Sequence, residues 1–432
     1  MAAERRRQRV VVVGAGAAGL CAARHLLARP VAFEAPVVLE AGDRLGGTWV
    51  YAEGSPAPGA PPRAALYRHL RTNLPKEVMA FPDFPFDADL PSFLPHSDVL
   101  AYLERYAAAS GVLPHIRFLQ LVEDVSPAPE GGWAVTSRGL GTGGRRQTEH
   151  FDAVMVCTGH YATPILPDIP GLDTFTGQVL HSHEYRHPEP FAGLSVVLLG
   201  AGPSGVDLAQ ELAPLARSVT LSHRPPPVPG LPAGVIQAAP VRAVRGAEVL
   251  FADGTASRAD ALLLCTGYAY SFPFLPAEAL GLRVTERSVT PLYRHMLPPC
   301  HPTLALVGLC SRICPFAFFH CQVLFFLAVL AGACNLPPGE TLRREAQEEL
   351  ERYGEAGGDP RHLHRLGSAQ WAYCAELARL GGFAPLPPVL RGLYEATRRS
   401  WELGADVYRR RNYRVLDEER WEVVGEEGDR EE

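Results

Sequence analysis

Val10-Val11-Val12-Val13-Gly14-Ala15-Gly16-Ala17-Ala18-Gly19 joins a short apolar run to a glycine turn and an alanine-rich helical stretch. The pattern returns at Ser195-Val196-Val197-Leu198-Leu199-Gly200-Ala201-Gly202-Pro203-Ser204-Gly205. Each turn lets the backbone approach a pyrophosphate and aims a helix N-terminus at its charge. After the first turn, the strand Val37-Val38-Leu39 ends in Glu40, a carboxylate that accepts from a ribose diol and repels a 2′-phosphate. After the second, Val219-Thr220-Leu221 runs into Ser222-His223-Arg224, without a carboxylate, which favours a 2′-phosphorylated ribose. The pair predicts FAD at the first turn and NADPH at the second, with Asp207 on the second helix assigned to the NADPH site. One such turn could be a tight connection in any Rossmann-like domain; two with opposite ribose readers point to two nucleotides.

The 432 residues suit two or three domains, and a hydrophobic fraction of 47% supports a sizeable core. With 47 acids against 41 bases, the net charge of −6 gives no reason to expect nucleic-acid binding. Arg409-Arg410-Arg411 reads as a solvated helix face. Nine scattered cysteines show no CxxC pair and no metal-like Cys/His cluster, so no metal is expected and the protein reads as reduced and cytoplasmic. Arg5-Arg6-Arg7 before an apolar stretch imitates a secretory leader, but the same residues spell a strand and phosphate turn. Ile313 to Ala331 is apolar enough to suggest a membrane span. His320 and Gln322 interrupt its middle, so a buried helix is expected. The acidic stretch from Val424 to Asp429 offers no membrane anchor. A homodimer is compatible with the sequence.

Along the chain, Ala17 to Ala28 reads as the first helix and Gly54 to Arg63 as a proline-rich surface loop. Ser97 to Ser110 reads as a helix with Asp98 as its N-cap. Arg117 to Val156 reads as an antiparallel meander ending in a buried strand, and Leu304 to Leu309 as another buried strand. Both halves close on a Cys-Thr-Gly turn, at Cys157 and at Cys265. The repetition predicts an α/β chain with two Rossmann-like dinucleotide-binding domains. The first segment of the FAD domain is expected at 1–165, an inserted NADPH domain at 166–289, and a helix-rich return to the FAD domain at 290–432.

Further motifs identify a family. Phe175-Thr176-Gly177-Gln178-Val179-Leu180-His181-Ser182-His183-Glu184-Tyr185 matches the fingerprint FxGxxxHxxxY, placed just before the second turn. Gly46-Gly47-Thr48-Trp49, Leu70-Arg71-Thr72-Asn73-Leu74-Pro75-Lys76 and Phe81-Pro82-Asp83-Phe84-Pro85 complete the set. From about Val10 to Leu330 the chain resembles the flavin-containing monooxygenases, especially the glucosinolate S-oxygenase-like and yeast-type branch. Tyr185 lacks the tryptophan extension of the Baeyer-Villiger relatives, and His320 stands where the family commonly has Glu. The resemblance implies that Gly47, Thr48, Trp49, Thr72 and Leu74 contribute to the nucleotide sites. It also implies that Asn73 reaches the flavin edge and the retained NADP, where an amide can both donate and accept. His181 reads as a positioning residue in the linker, and Cys157 and Cys265 as small buried hydrophobes.

The resemblance implies a cycle whose difficult chemistry belongs to the cofactor. NADPH reduces FAD, and dioxygen then gives a C4a-hydroperoxide that NADP and Asn73 shield from water. A small-molecule thioether or tertiary amine takes the distal oxygen. The alternatives are an NADPH oxidase or disulfide reductase, which would require a redox dithiol, and a flavoprotein fold kept as a binding module.

Overall fold

The computed structural model describes residues 6–54, 65–141, 144–404 and 408–424. Beyond Gly54 the expected proline-rich loop lies outside the described residues, as does the acidic tail beyond Val424.

Among the described residues, ten short strands form two parallel sheets. In chain order they are β1 (Val10–Val13), β2 (Val37–Leu39), β3 (Ile116–Arg117), β4 (Ala153–Val156), β5 (Gln178–His181), β6 (Ser195–Leu199), β7 (Ser218–Ser222), β8 (Val235–Ala238), β9 (Ala261–Leu264) and β10 (Leu304–Leu306). The first sheet has the order β10-β4-β1-β2-β3, with Val10 opposite Ala153 and Val11 opposite Val37. The second has the order β8-β7-β6-β9-β5, with Val196 opposite both Val219 and Ala261. Each glycine turn therefore follows the central strand of its sheet, where the direction of strand order reverses and open α/β sheets bind nucleotides.

Both sheets are covered on two faces, which explains why β1 and β9 are continuous apolar runs rather than alternating ones. One face of the first sheet packs against the helices α1 (Ala17–Leu27), α3 (His96–Ala109) and α5 (Pro315–Ala331); the short α2 (Lys76–Met79) lies between α1 and α3 in sequence. The other face meets an antiparallel ribbon, Gln120–Pro127, Trp133–Gly139 and Arg146–Phe151, through Val122, Trp133 and Phe151. The second sheet repeats this plan. Helix α4 (Pro203–Leu212) covers one face, and a ribbon of Val241–Arg245, Glu248–Phe251 and Ala256–Arg258 covers the other.

Several details differ from expectation. The expected meander holds for its three ribbon strands, but Ile116–Arg117 and Ala153–Val156 at its ends join the parallel sheet instead. Helix α3 is capped at Pro95, and Asp98 sits inside the first turn, where its charge favours the helix dipole without capping. Helix α5 is the buried helix expected between Ile313 and Ala331. Its Gln322 is fully buried and satisfied: Oε1 accepts from the Gly308 amide at 2.9 Å, and Nε2 donates to the Tyr373 hydroxyl at 2.8 Å. Among the described residues no helix is long and apolar enough to cross a membrane. The chain continues through α6 (Gly339–Glu355), α7 (Gln370–Gly381), which packs on α5, and α8 (Pro388–Leu403). A hairpin that the sequence reading missed, Asn412–Val415 with Trp421–Val424, closes over Val78 and Phe93 through Tyr413.

Candidate nucleotide sites and the junction between them

Steric arithmetic fixes both glycine turns. A Cβ at Gly14, whose φ is +102°, would stand 2.7 Å from the Cys157 carbonyl oxygen; at Gly200, with φ +100°, it would stand 2.6 Å from that of Cys265. A Cβ at Gly19 or Gly205 would lie 1.8 Å from the carbonyl oxygen of Gly14 or Gly200, respectively. The two Cys-Thr-Gly segments are thus the floors on which the turns rest. Cys157 N donates to Val13 O, and Cys265 N to Leu199 O, each at 2.8 Å. Burial raises both thiols, to about 12 for Cys265, which keeps them protonated near neutral pH. Helices α1 and α4 begin at Gly16 and Gly202 with no side-chain cap and no acid in the first turn, so their leading amides are available to an anion. Ala17 and Ala18 are buried at the start of α1; Pro203 and Ser204 occupy the more open start of α4.

The first cradle has a second wall. Gly47, with φ +56°, brings its backbone so close to Gly16 that a Cβ on it would be 2.9 Å from the Gly16 Cα. Gly46 N donates to Ala15 O at 3.0 Å, and the single 3₁₀ turn Gly47–Trp49 holds Thr48 exposed and Trp49 half-buried. Glu40 Oε2 accepts from Ala15 N at 2.6 Å and Oε1 from Gly42 N at 2.7 Å. These bonds orient the carboxylate and leave lone pairs for a ribose diol. At the second cradle, a Cβ on Gly202 would meet nothing within 4 Å, so the helix start is open. Arg224 is exposed past the end of β7, whereas Ser222 is buried and donates its Oγ to Ala239 O at 2.7 Å. These residues fit a nucleotide with a free 2′-hydroxyl at the first site and a phosphorylated one at the second.

Between the cradles runs the segment 66–75. Thr72 is buried, its N and Oγ1 paired with the Leu94 backbone at 2.8 and 3.0 Å. Leu74 packs into the core, while Asn73 is exposed with no hydrogen bond among the described residues. Asp207 faces protein. Arg409 Nη1 and Nη2 donate to its two oxygens at 2.9 Å each, and Tyr67 Oη donates to Oδ2 at 2.7 Å. The same guanidinium donates through Nε to Thr72 O at 3.0 Å. Burial disfavours the charge on Arg409, but the Asp207 carboxylate outweighs it and raises the guanidinium further. Arg409 is therefore no solvated helix face. It ties the C-terminal segment to the Asn73 loop and to helix α4.

Neither Arg409 nor Tyr67 was found from sequence, since their partner lies 202 and 140 residues away. The only hint was the Arg409-Arg410-Arg411 run.

The fingerprint forms the outer edge of the second sheet. Its β5 pairs with β9, and a Cβ on Gly177 would strike the Asp260 carbonyl oxygen at 2.3 Å. Tyr185 is buried against Phe191 and donates to Glu211 Oε2 at 3.0 Å. His181 Nδ1 accepts from His183 N at 3.0 Å; burial, then His183, push His181 down to about 4, so its ring is neutral near pH 7. The family departure His320 lies on α5 against His25, more than two turns along α1 from Gly16.

A family described as flavin-binding monooxygenase-like matches residues 7–226 and 230–424. The chain belongs to that family. It is 35% identical over 403 residues to the flavin-containing monooxygenase FMO GS-OX4 of Arabidopsis thaliana, covering 87% of this chain and 85% of that protein. The solved S-allyl-L-cysteine S-oxygenase of Allium sativum is 33% identical and superposes with a TM-score of 0.87, covering 94% of this chain and 95% of its own. Tmm from Pelagibacter sp. strain HTCC7211 is 26% identical with a TM-score of 0.83, covering 93% and 92%. Proteins of this family use FAD and NADPH, in agreement with the two cradles.

Proposed function

We propose that the chain is an NADPH- and O2-dependent monooxygenase that adds oxygen to soft nucleophilic sulfur or nitrogen in small molecules, thioethers foremost. The observation that carries this reading is the junction. The loop presenting the unpaired Asn73 amide is bound through Thr72 and Arg409 to helix α4, which begins at the NADPH turn. The FAD cradle comprises Gly14, Gly16, Ala17, Ala18, Gly19, Glu40, Gly47, Thr48 and Trp49. The NADPH cradle comprises Gly200, Gly202, Pro203, Ser204, Gly205 and Arg224, with Ser222 and Asp207 acting behind it through Ala239 and Arg409. The bound flavin, once reduced by NADPH, supplies the activation of dioxygen. Thr72 and Leu74 hold the loop, and Asn73 would offer a donor and an acceptor to the flavin edge and the retained NADP, limiting water access after the flavin has been reduced. No side chain needs to move a proton to the substrate, because a sulfide lone pair is already the nucleophile. The S-oxygenase activity in the name of the garlic relative supports a thioether. The nine cysteines are free, and the adjacent Cys321 and Cys374 are buried between α5 and α7, out of reach of an external disulfide.

The test is turnover of the purified holoenzyme on a mixed panel of thioethers and tertiary amines under 18O2. Labelled S-oxide or N-oxide in step with NADPH consumption is expected. NADPH consumption that yields only hydrogen peroxide with every substrate overturns the reading.

A further inference from the structure

The fold assembles two groups of histidine and cysteine that linear spacing conceals, Cys21/His25/His320 and His295/Cys310/His364, each with its ligand atoms within 4.8 Å of one another. Hydrogen bonding separates them. In the second group the Val289 amide donates to His364 Nε2 at 3.1 Å, so the His364 proton is on Nδ1. That Nδ1 faces His295 Nδ1 at 3.1 Å, which must accept, leaving the His295 proton on Nε2 toward Glu349 at 3.2 Å. Every ring nitrogen is committed, so this group is a directed hydrogen-bond chain that pins α6 to the core and has no lone pair for a cation.

In the first group no backbone donor dictates the tautomers. Cys21 and His25 are four residues apart on α1 and share a face, and His320 meets them from α5. His25 Nε2 and His320 Nδ1 are 3.1 Å apart, paired with each other. We propose that Cys21, His25 and His320 form a binding site for one zinc-class divalent cation that staples α1 to α5, outside the nucleotide cradles.

Tetrahedral zinc with nitrogen at roughly 2.0 Å and sulfur at about 2.3 Å sets its ligand atoms between 3 and 4 Å apart, a small contraction from the observed spread. A thiolate with two imidazoles is a soft set that selects zinc over magnesium or calcium. His320 is the one partly exposed member of the group and gives it its contact with solvent. The Asp83 carboxylate, ion-paired with Arg24, acts on all three ligands in favour of a cation, while the charges of Arg24 on all three and of Arg29 on the two histidines oppose one. Burial holds the Cys21 thiol well above its ordinary value, so its proton leaves only in exchange for the cation; the ring proton shared by the two imidazoles moves to an outward nitrogen. Nothing here draws on the oxygenation chemistry.

The test uses FAD-loaded protein carrying Cys300→Ser, which removes the exposed thiol. Chelator-stripped samples are dialysed against zinc and measured for stoichiometry, X-ray absorption and melting temperature. One zinc per chain is expected, with one sulfur near about 2.3 Å and nitrogens near about 2.0 Å. His320→Gln, a change at a half-exposed position, should weaken binding at least about tenfold and abolish the zinc-dependent rise in melting temperature. Cys21→Ser should remove the sulfur scatterer. A zinc shell without sulfur, no tight zinc, or binding in either variant as tight as in the Cys300→Ser parent overturns the proposal.

Discussion

At Gly205 one added methyl would collide with the Gly200 carbonyl oxygen at 1.8 Å, and because that contact is backbone, no rotamer relieves it. Gly205→Ala should give a protein that retains FAD but is no longer reduced by NADPH, read by flavin content and by anaerobic bleaching on NADPH addition. Loss of flavin together with reduction would show that the two cradles do not act separately. Asn73→Ala should leave FAD content and NADPH-driven reduction intact and raise hydrogen peroxide formed per NADPH consumed, because the exposed amide supports no described neighbour. Unchanged coupling would refute its assigned part. The glycines were legible because a steric requirement singles out one amino acid. Asp207 was not, because a carboxylate in the second turn of α4 looks the same whether it faces a nucleotide or an arginine.

Among the elements, strand, turn and helix order followed from apolar runs and punctuation, and so did the Cys-Thr-Gly floors. Edges were less legible: Asp98 resembled a cap although Pro95 occupies that position, and the short β3 and β4 looked like part of the ribbon whose flanks they form. The contact between distant elements was invisible, since nothing local in Arg409 marks Tyr67, Thr72 and Asp207 as partners. Arg409→Ala would strand a largely buried Asp207 carboxylate and free the Thr72 carbonyl, at a cost of about 3 kcal/mol. Urea unfolding should show this loss, with slower flavin reduction by NADPH in the folded protein. Arg409→Lys cannot reproduce the two-pronged contact and should rescue little. Full rescue by lysine would mean that charge alone matters.

Across the whole molecule, several buried histidines set a pH limit. Burial lowers His160 and His181 to about 4, and burial followed by His295 lowers His364 to about 3, against 6.5 in an unstructured chain. Between those values the unfolded chain binds more protons than the folded one, so stability is complete above about 6.5 and declines as pH falls toward 4. Melting temperature should begin to drop below pH 6.5, before carboxylates with an ordinary value of 4.5 take part. A flat profile from neutrality to pH 5 would refute this. The two-nucleotide plan was legible at this scale because the chain states it twice. The group of Cys21, His25 and His320 was not, because α1 and α5 bring together residues separated by almost 300 positions.

The fingerprint strand β5 reaches the second sheet from upstream of the glycine turn and seals the flank of β9. A fragment cut to begin at Ser195 would keep the turn, its helix and its ribbon, yet bare the amides and carbonyls of β9 along an open border. Such a piece invites pairing with its own copies. An autonomous NADPH module carved from this enzyme must begin before Phe175.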